Sequence, residues 1–137
     1  MNSLIQNVNK IYKILPKENK KIKDKLFAAF DNYKNNDWKK YIRSTDRGIE
    51  EKKHIIEKNK NYNLYINIFD KKNKIKIEEN FHLYKVLKGD ILYTNCNQFK
   101  LKDNTVILSE KNNIFSYKTC EEDCSFILVL EDKKSIL

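Results

Sequence analysis

Hydrophobic positions in the first third of the chain recur with a helical period. In residues 3–15 (SLIQNVNKIYKIL), Leu4, Ile5, Val8, Ile11, Tyr12 and Leu15 return at spacings of one, three and four, which lines them along one face of an amphipathic helix. Ser3 is placed to cap its start, and Pro16 to stop it, since proline lacks an N–H and its ring clashes with the preceding turn. A second helix is predicted over about 18–33, with Ile22, Leu26, Phe27, Phe30 and Tyr33 as its apolar stripe and lysines opposite. Asn35-Asn36-Asp37 interrupts it. Asp37 then reads as the cap of a short third helix carrying Trp38, Tyr41 and Ile42.

Near residue 62 the period changes from helical to alternating. In residues 63–69 (NLYINIF), Leu64, Ile66 and Ile68 fall on one side and Tyr65, Asn67 and Phe69 on the other, as in a strand. Residues 70–73 (DKKN) carry turn chemistry, and 74–79 (KIKIEE) alternate again. Further short strands are predicted at 81–87, 91–94, 98–101, 105–108, 114–118 and 125–130. Gly89-Asp90, Asn95, Asp103-Asn104, 111–113 and 121–123 mark the breaks between them. Residues 44–61 are ambiguous, and Glu50 to Ile56 either continue a helix or open the first strand. Helices followed by many short strands predict a mainly β fold: a small barrel preceded by two or three short N-terminal α-helices. The expected organisation is one domain over 1–137, with a helical segment at 1–43 and a barrel core at 62–131.

Composition changes this picture little. The chain has 137 residues, 40% of them hydrophobic, which suffices for one core without disulfide staples. No apolar run approaches the ~18 residues of a membrane span, and the first residues lack the long apolar stretch of a secretory signal. Cys96, Cys120 and Cys124 form no disulfide framework, so a reducing, cytoplasmic setting is expected. The formal charge of +9 raises the question of nucleic acid. Lysines are abundant in predicted helices, turns and strands alike, and arginine, the usual bidentate reader of phosphates and base edges, occurs only at Arg43 and Arg47. A solvated basic surface is therefore expected.

The order of elements resembles the cysteine dioxygenase family of the cupin superfamily. The phrases that carry the resemblance are LIQNVNKIYKIL, KLFAAFDNY, DWKKYIRSTD, HIIEKNKNYNLYINIF and HLYKVLKGDI, in that order over residues 3–94. The resemblance implies a cupin barrel, or double-stranded β-helix, and in active members an iron site built by histidines from two motifs. Those histidines have no counterparts here. With Gly89 as the closing glycine of the first motif, His82 takes the position of the family's cysteine, and the two histidine positions fall on Ile75 and Ile77 or on Lys76 and Glu78. Phe115 takes the second-motif ligand position. Lys53 stands where the family's carboxylate-binding arginine is expected, a point charge in place of a planar fork. The family's Cys–Tyr crosslink positions correspond to His82 and about Leu130, which cannot form a thioether.

Glu78 and His82 remain as weak candidate metal ligands, short of the three or four a usable first shell needs. Cys120 and Cys124, four apart with acids between, match no redox or metal motif, and His54 has no nucleophile or acid in triad arrangement. The expectation is a degenerate cysteine-dioxygenase-like cupin, without iron or another cofactor and without catalysis. Such a protein serves as a scaffold for a small molecule or a protein, and Lys53 is its candidate ligand contact. Two alternatives stand beside it: a thiol dioxygenase with a metal site rebuilt around Glu78 and His82, and a basic domain that binds nucleic acid or an acidic protein.

Overall fold

The computed structural model describes residues 1–13, 19–41, 52–69, 74–77, 82–89, 91–95, 97–108, 115–119 and 125–134. Two helices, α1 (Asn2–Lys13) and α2 (Asn19–Asn32), are followed by a 3-10 helix at Asp37–Tyr41. Nine strands come next: β1 (Lys52–Lys58), β2 (Tyr62–Phe69), β3 (Lys74–Ile77), β4 (His82–Lys88), β5 (Ile91–Asn95), β6 (Asn97–Leu101), β7 (Val106–Leu108), β8 (Phe115–Thr119) and β9 (Ser125–Asp132). They form two antiparallel sheets, ordered β1-β2-β9-β4-β7 and β3-β8-β5-β6. The protein is mainly β, as the change of period predicts, and within the ambiguous stretch residues 52–58 form the strand β1, while 44–51 lie outside the described residues.

The larger sheet is buried on both faces because β2, β4 and β9 each alternate between two apolar sets. Tyr62, Leu64, Ile66 and Ile68 of β2 join Leu83 and Leu87 of β4 and Phe126, Leu128 and Leu130 of β9 on the outer face. The helices lie on this face: Leu4, Val8, Ile11 and Tyr12 of α1 and Ile22, Leu26 and Phe30 of α2 close the same cluster, together with Trp38. The helical layer thus covers a broad side of the sheet, burying its apolar face. Burying a side chain the size of leucine or phenylalanine contributes roughly 1.5–3 kcal/mol. Leu26, Phe30 and Trp38 are buried as expected.

Phe27 departs from the predicted stripe. It follows Leu26 by one residue, about 100° around the helix, and is 38% exposed. Two predicted caps also change role. Helix α1 begins at Asn2, so Ser3 lies inside its first turn, and the Met1 carbonyl accepts the Ile5 N–H at 3.0 Å. Asp37 lies within the 3-10 helix, and its carboxylate takes the Met1 α-ammonium and the Tyr33 hydroxyl instead of its own helix's N–H groups. Pro16 and Ile42 lie outside the described residues.

Polar contacts tie the helices to the sheet at chosen points. Tyr12 donates to Asp132 at 2.8 Å and Tyr62 donates to Asn9 at 2.7 Å, with the two tyrosine rings stacked 5.2 Å apart. Lys85 of β4 is buried on the helix-facing side. Its ammonium donates to the carbonyls of Phe30 at 2.6 Å and Asp31 at 3.2 Å, at the C-terminal end of α2. Gly89 ends β4 at φ 105°, a conformation that favours glycine, and its N–H donates to Asp103 at 3.0 Å. Asn104, also at positive φ, makes the predicted turn between β6 and β7. Among the described residues no helix is long and apolar enough to cross a membrane.

Candidate functional site

The inner face of the larger sheet is the candidate site. Tyr65, Tyr84, Val86, Ile127 and Val129 form a second buried cluster there with Leu101 of β6, so this face looks toward the second sheet. Strand registers arrange it in rungs. Tyr65, Val129 and Tyr84 stand opposite one another across β2, β9 and β4, and Ile107 of β7 extends that rung. The next rung holds Asn67, Ile127 and Val86, with Lys53 of β1 opposite Asn67. On the other side of the tyrosine rung, Asn63, Glu131 and His82 occupy one rung.

The polar groups of this face are mostly neutral. Asn67 is 3% exposed, and the side-chain oxygens of Asn63 and Asn67 are buried with no hydrogen-bond donor. An amide oxygen in that state carries a desolvation cost of about 1–3 kcal/mol. Two such acceptors on one apolar face are uncommon in a protein interior.

The residues singled out from sequence fare differently. Lys53 is exposed at the rim, with its ammonium 4.8 Å from the centre of the Tyr65 ring, a cation–π contact. His82 begins β4, in register with Glu131; Glu78 lies outside the described residues. Glu131 is therefore the acidic residue that the described structure sets beside His82. Local sequence gives no sign of it, because the two are brought together by strands far apart in the chain. Leu130 is fully buried on the opposite, helix-facing side, which removes it from the site that the Cys–Tyr resemblance implies. His54 is partly buried with its ring 6.1 Å from that of Tyr41, a packing role. Cys96, Cys120 and Cys124 lie outside the described residues.

Two positions expected to hold iron ligands are brought together by the backbone. Strands β3 and β8 pair so that Ile77 stands opposite Phe115 and Ile75 opposite Tyr117. One ladder thus joins the first-motif and second-motif positions, and the residues at 77 and 115 have no metal-binding atom. Among the described residues no group of three or more His, Cys, Asp or Glu side chains is placed to hold a metal.

The basic residues partly engage the protein's own aromatic rings. Lys39 lies 5.9 Å from the Trp38 ring and Lys40 5.3 Å from that of Tyr41, in addition to Lys53 over Tyr65.

No protein-family model matches the chain, and no curated protein sequence matches it. Solved structures do. A conserved protein with a double-stranded β-helix domain from Klebsiella pneumoniae superposes with a TM-score of 0.59 at 11% identity, covering 76% of this chain and 88% of that one. A cupin-2 domain protein from Shewanella frigidimarina gives 0.56 at 11% identity, covering 74% and 95%. A cupin superfamily protein from Desulfitobacterium hafniense gives 0.54 at 13% identity, covering 61% and 77%. With the alternating rungs of two facing sheets, these likenesses establish the fold of the chain as that of the cupins, the double-stranded β-helix.

Proposed function

We propose that the protein is a cysteine-dioxygenase-like cupin that has given up iron chemistry and serves as a binding scaffold. The observation that carries this reading is the pairing of Ile77 with Phe115 at the two expected ligand positions. Iron(II) needs imidazoles or carboxylates converging from neighbouring strands, and an isoleucine facing a phenylalanine across a ladder supplies neither. The residues at those positions do not fit the metal. A dication in such surroundings would lack compensating charge. The interior of the larger sheet instead offers tyrosine rings, branched apolar side chains and amide oxygens, with Lys53 at the rim as the contact for a ligand's acidic group. These are the materials of a small-molecule pocket.

A second reading draws on the Asn63–Glu131–His82 rung. Glu131 and His82 in register could supply two ligands of a rebuilt metal site for thiol oxidation. One assay separates the two readings. The protein is loaded anaerobically with ferrous iron, then given cysteine or cysteamine and oxygen, and sulfinate is measured. The scaffold reading predicts none above background. Sulfinate formed by the wild type and abolished in His82→Ala would establish the rebuilt site instead. Nucleic-acid binding is expected to be weak and to fade steeply with salt, since Lys39, Lys40 and Lys53 already lie over the protein's own rings.

A further inference from the structure

A cleft of about 310 Å³ opens between the first half of α1 and the C-terminal end of α2, at the small end of the range for ligand pockets. Short side chains make the room. Ser3 and Asn7 lie one turn apart on α1, Ala29 and Asn32 one turn apart on α2, and all four line the space. Leucine-sized residues at these positions would close it. Buried Met1 and Leu4 and the partly buried Ala29 give the cleft apolar surface, and Lys34, just beyond α2, gives it a positive charge. We propose that this cleft binds a small organic monocarboxylate, its charge at Lys34 and its apolar body against Met1, Leu4 and Ala29. The site lies in the helical layer, away from the barrel interior, and does not depend on the scaffold reading.

The charges around the cleft set the sign of its ligand. No acidic side chain lines it, and the Lys34 ammonium has no carboxylate partner among the described residues. The Met1 α-ammonium is already neutralised by Asp37, which also holds the Tyr33 hydroxyl. Asn35 accepts the Asp37 N–H with its side-chain oxygen at 3.1 Å, so what it has left to offer is its NH2 group, a donor. Carbonyls at the end of α2 would repel an anion, but those of Phe30 and Asp31 already accept from the Lys85 ammonium. Residues 1–41 hold ten lysines and four acidic residues, a net +6 of the chain's +9, so the surrounding field also favours an anion. A cation would meet Lys34 with no carboxylate to balance it. A dianion would find one free ammonium for two charges, and a neutral apolar molecule would desolvate that ammonium without compensation. A monocarboxylate with an apolar body meets none of these objections.

The test titrates 15N-labelled protein with benzoate, butyrate and 3-phenylpropionate up to about 20 mM at constant ionic strength, a range suited to weak binding. Benzamide, the uncharged counterpart of benzoate, is titrated alongside. At least one carboxylate should shift the side-chain amide resonances of Asn7, Asn32 and Asn35 with saturation, and benzamide should not. Lys34→Gln should weaken that carboxylate by roughly 5–10-fold, the loss expected when a charge-assisted hydrogen bond becomes a neutral one. Lys102→Gln removes a charge from the turn between β6 and β7 and should leave the affinity unchanged. Ala29→Leu should abolish binding by filling the cleft. No saturable shift at these amides with any of the three carboxylates would overturn the proposal. So would benzamide binding as tightly as benzoate, or wild-type affinity in Lys34→Gln or Ala29→Leu. An equal loss in Lys34→Gln and Lys102→Gln would also overturn it, by reducing the effect to general charge attraction. Lys34 is exposed, so its variant keeps the test decisive even if Ala29→Leu does not fold. Iron-dependent sulfinate would remove the scaffold reading and leave this site untouched.

Discussion

Lys85 offers a sharp test of how the helical layer is fastened to the barrel. Its side chain is fully buried between β4 and α2, and its ammonium donates to Phe30 and Asp31 carbonyls at the end of that helix. Lys85→Ala removes three buried methylenes beyond Cβ, worth about 2.4 kcal/mol at about 0.8 each. It also strips the ammonium from the Phe30 carbonyl. That oxygen keeps the Tyr33 N–H at 3.1 Å but loses its charge-assisted partner, a loss of about 1–3 kcal/mol. Against this, the variant no longer desolvates a charge. The expected cost is about 3–5 kcal/mol. Lys85→Met keeps an apolar stem and loses only the head group, so about 1–2 kcal/mol is expected. Urea unfolding followed by circular dichroism measures both. A midpoint for Lys85→Ala equal to the wild type would refute the latch.

The same residue makes a pH prediction. Burial lowers the Lys85 pKa, an effect that the negative charge of Asp31 opposes and the positive charge of Lys34 reinforces. With the folded value below the unfolded one, the unfolded chain binds more protons in the interval between them. Stability contributed by this group therefore rises as pH climbs from the folded value toward the unfolded value near 10.5. Wild-type protein should show this rise relative to Lys85→Met.

Two further substitutions test local geometry. Gly89→Ala should cost about 2–4 kcal/mol by urea unfolding, because φ is 105° and an added Cβ would lie 2.3 Å from the Ser125 Oγ; a neutral result would mean that β4 does not close on β9 at that turn. At Asp37, burial opposes ionisation, but the bonds from the α-ammonium and Tyr33 outweigh it and hold the pKa below its ordinary value. Its stabilising effect is present above the unfolded value of about 3.8 and is lost as pH falls through the lower folded value, so Asp37→Asn should flatten the acid limb of a stability–pH curve.

Much of this was legible in the sequence where periodicity is strong. Residues 63–69 alternate so strictly that both faces of β2 can be assigned, and Leu64, Ile66 and Ile68 do face the helices while Tyr65 and Asn67 face the second sheet. The stripe of α2 is equally readable except at Phe27, where an aromatic beside the stripe looks apolar enough to belong to it. Lys85 could not be foreseen: a lysine in an alternating strand reads as solvent-facing, and only the docking of α2 turns that face into interior. The Asn63–Glu131–His82 rung was hidden for a related reason. Its members come from β2, β9 and β4, and which residues stand opposite is fixed by long-range register, on which local pattern is silent. Asp37 reads as a helix cap by spacing alone, but the nearby α-ammonium and the Tyr33 hydroxyl compete for its carboxylate and win.

The central claim is that the chain keeps the cupin barrel without its iron. Metal content of the protein purified without added iron, measured by mass spectrometry of the elements after gel filtration, tests this most directly. The account predicts iron, and every other transition metal, far below one atom per chain, and no change in that figure for His82→Ala. One tightly held metal atom per chain that disappears in His82→Ala would contradict it.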